Sequence, residues 1–182
     1  MIQSRLDYCS QLWSPSSADA IRKLEDIQRN FTKKIAGMEN LNYRERLSKL
    51  QLYSQERRRE RYMIIFIWKI AMGLVDGYKL KFDGKDSRRG RECLVAEVVR
   101  DSPVSVRRAR EGSLSVKGAR IFNMLPPELW NFSSDKVDQF KWKLDSFLKS
   151  IPDEPTIVEE ERVAETNSLL HQVPLARLNS NN

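Results

Sequence analysis

The spacing of apolar residues divides the start of the chain into helices separated by polar turns. Apolar residues recur every three or four positions through residues 2–13 and again through residues 20–35, which is the period of one helix face. Ser14 and Pro15 interrupt the two stripes, and Ser17 is a favourable N-cap for the second helix. The pattern predicts two short amphipathic helices joined by a Ser-Pro turn.

The next stretch predicts a short helix and then the longest helix of the chain. Asn42 and Glu45 have the spacing of a capping box, and Ser54 is placed to cap a helix over residues 55–75. That helix starts as QERRRERY and continues as MIIFIWKIAMGLV, which is apolar nearly all round. Its β-branched residues also allow a strand, but the run exceeds the usual strand length. We therefore predict a central core helix that is buried on most sides.

Residues 76–112 differ in kind from the residues before them. Glycines, Asp-Gly and Asp-Ser pairs and many arginines predict a flexible basic linker, with one short β element at residues 94–100. Residues 113–151 predict a C-terminal helical extension that ends before Pro152. In this extension a brief helix precedes a Pro-Pro turn, and a longer amphipathic helix begins at Ser134.

The composition changes again at the C-terminus. From Pro152 onward six acidic residues outnumber two basic ones, and we predict a disordered acidic tail over residues 152–182. The expected fold is mainly α: an irregular helical bundle with a long Arg-rich loop and this tail. Residues 1–75 form its first helical region.

Charge and composition narrow the class of partner. The chain has 182 residues and a net charge of +7, and the acidic tail makes the remaining body more basic still. A body this basic favours polyanions, nucleic acid first and an anionic membrane surface second. The longest apolar tract, residues 63–75, is shorter than the ~20 residues of a membrane span and contains Lys69. We expect no membrane span and a location in the nucleus or cytoplasm.

Three blocks of sequence resemble one known family. They are SRLDYCSQLWSPSSADAIRKLEDIQRNFTKKIAG at residues 4–37, NYRERLSKLQLYSQERRRERYMIIFIWKIAMGLV at residues 42–75, and SVKGARIFNMLPPELWN followed by FKWKLDSFLKSIPDEP within residues 115–155. In this order they resemble the region C-terminal to the polymerase palm in non-LTR retrotransposon reverse transcriptases of the jockey and CR1 type. Residues 1–75 then resemble the end of the helical thumb. The later blocks resemble an extension that holds element RNA or target DNA.

The chemistry of that family requires residues that this chain lacks. Its polymerase site is an aromatic-x-Asp-Asp turn that holds two Mg²⁺ ions, and this sequence contains no Asp-Asp pair. Its only histidine, His171, and its two cysteines, Cys9 and Cys93, are too few for a zinc knuckle. We expect no enzymatic activity and no cofactor. The resemblance implies a non-catalytic fragment that works with the rest of the reverse transcriptase.

Two groups of basic residues are candidate phosphate contacts. The first is Arg57, Arg58, Arg59 and Arg61, at the start of the longest helix. Arginine near a helix N-terminus opposes the macrodipole, a cost that a plain solubility role does not require. Guanidinium groups pair well with phosphates. The alternative is a solvated helix start that forms i,i+4 pairs with Glu56 and Glu60.

The second group lies in the linker and just after it. Its members are Arg88, Arg89, Arg91, Arg107, Arg108, Arg110, Lys117 and Arg120. A basic arm of this kind can wrap a phosphate backbone. The alternatives are an ordinary loop and a nuclear localisation patch.

Two functions from different classes remain. The first is binding of RNA or DNA through phosphates without base readout. The alternative is a protein-interaction module, because an Arg-rich amphipathic helix with bulky apolar anchors is similar to ligands that lie in a protein groove. An independent enzyme is not favoured, because the acidic residues are scattered among basic ones. Trp13 and Trp68 are expected in the core. Trp142 lies off the main stripe, where a second buried face is favoured and stacking on a base is the alternative.

Overall fold

The computed structural model describes residues 2–11, 13–15, 17–83, 93–96, 103–130, 136–153, 155 and 167–179. Within these ranges the chain is mainly helical, as predicted. The helices are α1 (Ile2–Asp7), α2 (Ala18–Lys33), α3 (Tyr43–Lys49), α4 (Gln55–Ala71), α5 (Val104–Glu111), α6 (Ala119–Asn123), α7 (Val137–Lys149) and α8 (Leu169–Asn179). A π-helical turn, Leu114–Gly118, leads into α6, and a 3-10 turn, Pro127–Trp130, follows it. Strands β1 (Phe82–Asp83) and β2 (Cys93–Leu94) form one antiparallel hairpin.

Side-chain caps fix the starts of three helices where the sequence predicts them. Ser17 accepts a hydrogen bond from the backbone N–H of Ala20 at 3.3 Å. Asn42 and Glu45 form the reciprocal capping box of α3, with distances of 2.9 and 2.8 Å. Ser54 caps α4. Each such cap stabilises its helix by about 1 kcal/mol, so these boundaries are encoded locally.

The main apolar core surrounds the second half of α4. Trp68 is fully buried and stacks on Phe140 of α7, with ring centroids 4.7 Å apart and planes inclined by 11°. The π-helical turn approaches α4 so closely that a Cβ on Gly118 would lie 2.9 Å from Cδ1 of Ile67. Apolar residues of α6, α7 and α8 complete this core. The prediction of a central core helix is confirmed, although α4 ends at Ala71 instead of residue 75.

Helix α2 lies with its polar face inward. Its buried residues are Glu25, Gln28 and Thr32, whereas Ile27 and Phe31 of the apolar stripe are exposed, Phe31 at 60%. The reason is that α2 packs against α3 and the polar start of α4, which provide hydrogen-bond partners instead of an apolar surface. Ala20, Leu24 and Ile35 of the same stripe are half-buried, so the predicted apolar face is only partly covered by the fold.

The N-terminal helix is shorter than its apolar stripe. Helix α1 ends at Asp7, and Cys9 has a positive φ of 49°, which ends the helical path. Trp13 lies beyond this turn and donates from Nε1 to the carbonyl of Tyr8 at 2.6 Å. Trp13 is 43% exposed, so its expected core position needs a correction: one ring face packs against Arg59 instead.

The described part of the predicted linker contains regular structure. The hairpin occupies its first half and α5 its second. Strand β2 shares only Leu94 with the β element predicted at residues 94–100, and residues 97–100 lie outside the described residues. The side-chain amide of Asn123 holds the hairpin on α6, because it accepts from the N–H of Leu94 and donates to its carbonyl, both at 2.9 Å.

The predicted disordered tail also needs a correction. Residues 167–169 are buried, α8 follows, and Leu169 and Val173 belong to the core. The apolar residues of this short stretch fill a site beside α4 and α6, which composition alone does not reveal. Residues 156–166 lie outside the described residues. In the part of the chain that the structure covers, no helix has the length and apolarity needed to cross a membrane.

Candidate nucleic-acid interface

Arg57 is the most deeply buried of the predicted phosphate contacts. Its side chain has no exposed surface, and its guanidinium donates to the carbonyls of Pro152 at 2.8 Å and Ile151 at 3.3 Å. These carbonyls lie just beyond the end of α7, in residues that follow its C-cap Ser150. Arg57 therefore joins the start of α4 to the end of α7.

Arg59 is also occupied inside the protein. Its guanidinium carbon lies 3.9 Å from the ring centroid of Trp13, and Nη2 donates to the carbonyl of Leu6 at 3.1 Å. Burial lowers the pKa of Arg59, and the charge of Asp7 opposes this effect. A cation over a tryptophan face is attracted to the negative face of the ring. Arg59 therefore fastens the N-terminal segment to α4.

The other two arginines of α4 pair with acidic residues of distant segments. Arg61 binds Asp145 of α7 through Nε at 2.5 Å and Nη2 at 2.7 Å, a bidentate pair. The hydrogen bonds that Arg61 donates to Asp145 raise the pKa of Arg61. Nε of Arg58 lies 4.0 Å from Oδ1 of Asp7, a weaker contact. Both pairs are long-range, so the i,i+4 pairing considered from sequence does not describe these arginines.

Lys117 is buried between two glutamates. Its Nζ lies 2.8 Å from Oε1 of Glu60 and 3.6 Å from Oε1 of Glu56. Burial by itself would lower the pKa of Lys117, but the two carboxylates outweigh it, so this pKa is raised. Burial raises the pKa of Glu56 to about 7, and the charge of Glu60 adds to the shift. A phosphate contact by Lys117, Arg57 or Arg59 does not fit this conformation.

The basic residues after the hairpin have a different environment. Arg107 and Arg110 lie three positions apart on α5, on one helix face, and both are exposed. Arg120 is exposed on α6, and α5 packs against the π-helical turn that leads into α6. Among the described residues none forms an ion pair with these three guanidinium groups. Arg108 belongs to the same helix, and Arg88, Arg89 and Arg91 lie outside the described residues.

A buried polar network went unnoticed in the sequence. The Tyr43 hydroxyl donates to Oε1 of Glu25, and the backbone N–H of Gln55 donates to Oε2 of Glu25 at 2.9 Å. Burial raises the pKa of Glu25 to about 7. The sequence hides this network because a glutamate on the polar side of an amphipathic helix normally faces water. The sequence interpretation also missed the segment 78–81, which lines a groove beside α4. Its sequence, Tyr-Lys-Leu-Lys, places an aromatic residue among basic ones and could have indicated this site.

Comparisons with protein-family models, with curated proteins and with solved structures find no match to this chain. Over the described ranges, no group of three or more histidine, cysteine or acidic residues is placed to hold a metal ion. The geometry of the basic residues is consequently the main guide to function.

Proposed function

We propose that this chain is the non-catalytic C-terminal region of a retroelement RNA-directed DNA polymerase and that it binds RNA or DNA through the phosphate backbone. One observation carries the proposal: Arg107, Arg110 and Arg120 are exposed, and no described residue pairs with their guanidinium groups. A guanidinium group binds phosphate oxygens through charge-assisted and often bidentate hydrogen bonds. The interface moves from α4, where the sequence placed it first, to α5 and α6.

The contrast with α4 supports this assignment. Arg57, Arg59 and Arg61 are all bound to other parts of the same chain. These three arginines are therefore not available to a polyanion, and the positive charge that a polyanion meets comes mainly from other basic residues. Exposed guanidinium groups attract polyanions over a Debye length of about 8 to 10 Å at physiological salt. In this proposal the metal-binding carboxylates belong to the rest of the reverse transcriptase, which the chain would assist in the nucleus or cytoplasm.

A second candidate is a protein-interaction module, and one surface favours it. The role considered for α4 as a groove ligand would require α4 to leave the core and expose Trp68, which is fully buried. The outer face of α2 is better suited, because Ile27 and Phe31 are already exposed there. A protein complex that resists nuclease treatment and is lost in Phe31→Ser would favour this candidate over nucleic-acid binding.

The test of the first proposal is the salt dependence of binding. Fluorescence anisotropy would follow a structured RNA and a DNA duplex between 50 and 200 mM salt. If six to ten basic residues meet phosphates, the affinity falls by about 10³-fold or more over this range. A flat response to salt would refute phosphate binding.

A charge-matched pair of variants assigns the contacts. The test variant is Arg107→Gln, Arg110→Gln and Arg120→Gln combined. The control variant removes three exposed basic residues that already form local ion pairs: Arg22→Gln, Lys23→Gln and Lys141→Gln. On the duplex, the slope of log affinity against log salt should flatten by about 0.9 per lost contact in the test variant. Equal effects of the two variants would mean that only net charge matters.

A further inference from the structure

A groove of about 200 Å³ lies between the hairpin and the π-helical turn. Its floor is apolar and consists of Ile67, Leu114 and Ala119, which are all buried. One wall is the segment 77–81, which returns from the end of α4, and Val95 lies beside Lys81 at its end.

The hairpin gives this wall a fixed position. The backbone N–H of Val95 donates to the carbonyl of Lys81 at 2.9 Å, which continues the ladder beyond the paired strands. Asn123 binds both backbone groups of Leu94 and so holds the hairpin on α6. Gly77 has a φ of 76°, a left-handed conformation that turns the chain after α4. The groove is therefore formed by the fold before any ligand arrives.

The residues at the rim combine an aromatic ring with positive charge. Tyr78 lines the groove and is 47% exposed, and Lys79 and Lys81 are exposed beside it. None of the described residues that line the groove is acidic. Ser115 adds a hydroxyl group, which lies 3.2 Å from the hydroxyl of Ser113 and has capacity for a further hydrogen bond to a ligand.

This combination matches one ligand chemistry. A nucleobase has two apolar faces and a polar edge, and the phosphates on either side of it are anionic. Proteins that bind single strands use aromatic side chains for the bases and basic side chains for the backbone. A base within a duplex is stacked on its neighbours and is not available to such a groove.

We propose that this groove holds one unpaired base of a single-stranded RNA or DNA, with Tyr78 stacked on the base and Lys79 and Lys81 at the flanking phosphates. The inference rests on the proposed function and adds a substrate class, single-stranded over duplex nucleic acid. It also adds base stacking to the phosphate contacts of α5 and α6.

Trp142 is another exposed aromatic residue with neighbouring lysines, and it fits this role less well. It is 72% exposed on α7, where Asp138 and Asp145 lie four residues before it and three residues after it on the same helix face. Asp145 is paired with Arg61, and Asp138 is paired with Lys141 at 3.0 Å, so one of the two lysines beside Trp142 is already bound to a carboxylate. Tyr78 has no acidic neighbour among the residues that line its groove.

The experiment compares a labelled ten-nucleotide oligouridine with a duplex of the same length. The variants are Tyr78→Ala, Tyr78→Phe and the control Tyr8→Ala, which removes another exposed tyrosine. Stacking on an aromatic residue contributes about 1–3 kcal/mol per base, so Tyr78→Ala should weaken oligouridine binding on the order of tenfold. Tyr78→Phe and Tyr8→Ala should bind as the unchanged protein does. Thermal unfolding of all variants checks that the fold is kept.

The outcomes separate this inference from the proposed function. An unchanged oligouridine affinity in Tyr78→Ala, or an equal loss for the duplex, would overturn the groove assignment. If binding then still weakened steeply with salt, phosphate binding by α5 and α6 would stand. Conversely, Tyr78-dependent binding of oligouridine whose salt slope is unchanged by the combined Arg107→Gln, Arg110→Gln and Arg120→Gln variant would support the groove and refute the phosphate contacts of α5 and α6. Stacking can be measured directly with an oligonucleotide that contains the fluorescent base 2-aminopurine. The unchanged protein should quench its fluorescence, and the Tyr78→Ala variant should not.

Discussion

The two halves of α4 are buried in opposite ways. The first half, residues 55–61, carries buried charged side chains, and Arg57 and Glu60 have no exposed surface. The second half, residues 63–70, is buried among apolar side chains of α6, α7 and α8. One helix thus has a charged, hydrogen-bonded half and a dry half.

The difference shows that the two halves do different work in the fold. Apolar burial stabilises by about 25 cal/mol per Å² and depends little on direction. Buried charges stabilise little by themselves, because desolvation offsets the attraction, but they are very costly to leave without partners. The first half therefore selects which segments lie against it: Arg57 holds residues 151 and 152, and Glu60 holds Lys117 and residues 168 and 169.

The strongest way to break the dry half is to remove its largest side chain. Trp68→Ala should lower the free energy of unfolding by about 3–5 kcal/mol, because it leaves a cavity beside Phe140. Urea denaturation measures this loss. The matched control is Trp142→Ala, which removes an exposed tryptophan and should change stability by less than about 0.5 kcal/mol. Similar losses in the two variants would contradict the described core.

The charged half should respond to loss of a single guanidinium group. Arg57→Ala leaves the carbonyls of Ile151 and Pro152 without their donor, and we expect a loss of about 2–4 kcal/mol. Arg58→Ala is the control, because Arg58 is part-exposed and its contact with Asp7 is long, so the loss should stay below about 1 kcal/mol. The free energy of unfolding should be measured with urea, because guanidinium chloride is a salt and screens ionic contacts. A stable Arg57→Ala protein with weakened nucleic-acid binding would restore the phosphate role of Arg57.

The charged half should also make stability depend on pH. Burial raises the pKa of Glu25 and of Glu56 to about 7, from an ordinary value of 4.5. Between these values the folded protein binds more protons than the unfolded chain, so the free energy of unfolding should fall as pH rises from 5 to 8. The loss should be on the order of 2–3 kcal/mol per group.

The variant Glu25→Gln identifies the source of this pH dependence. It keeps the side-chain volume and an acceptor for Tyr43, and it removes one of the two titrating groups. Urea midpoints at several pH values should show a drop that is roughly halved. An unchanged drop would exclude Glu25 as a source.

The smallest expected loss of stability is at α2, where a buried polar residue can be compared with an exposed apolar one. Thr32 is fully buried, accepts from Nε of Arg46 at 3.2 Å and donates to the carbonyl of Arg29 at 3.1 Å. Thr32→Ala should therefore cost about 1–2 kcal/mol. Phe31→Ala, one residue away, should cost less than about 0.5 kcal/mol, since Phe31 is mostly exposed. A larger loss for phenylalanine than for threonine would mean that α2 packs through its apolar stripe.

Local signals explain which parts of the fold the sequence predicts. The caps at Ser17, Asn42 and Ser54 act within one turn, so the starts of α2, α3 and α4 follow from nearby residues. The apolar run of α4 is long enough to require burial whatever its neighbours are. These features need no knowledge of distant segments.

Long-range contacts explain what the sequence does not predict. The partners of Arg57 lie 94 and 95 residues away, and those of Glu60 in the tail lie 108 and 109 residues away. Helix α8 forms because the carboxylate of Glu60 accepts from the N–H of Leu169 and the core accepts its side chain. The candidate interface follows the same division. Exposure of Arg107 follows from the polar pattern of α5, whereas burial of Lys117 depends on Glu56 and Glu60.

The bond from the Leu169 backbone to Glu60 has a consequence for synthesis of the protein in the cell. Ribosomes add about 5–20 residues per second, so roughly 5–20 seconds pass between the translation of Glu60 and that of its partner 109 residues later. During that interval α4 lacks the packing of α8, and part of its apolar second half is exposed. Chaperones bind chains that expose apolar surface in this way. A chain truncated before residue 167 would keep this surface exposed.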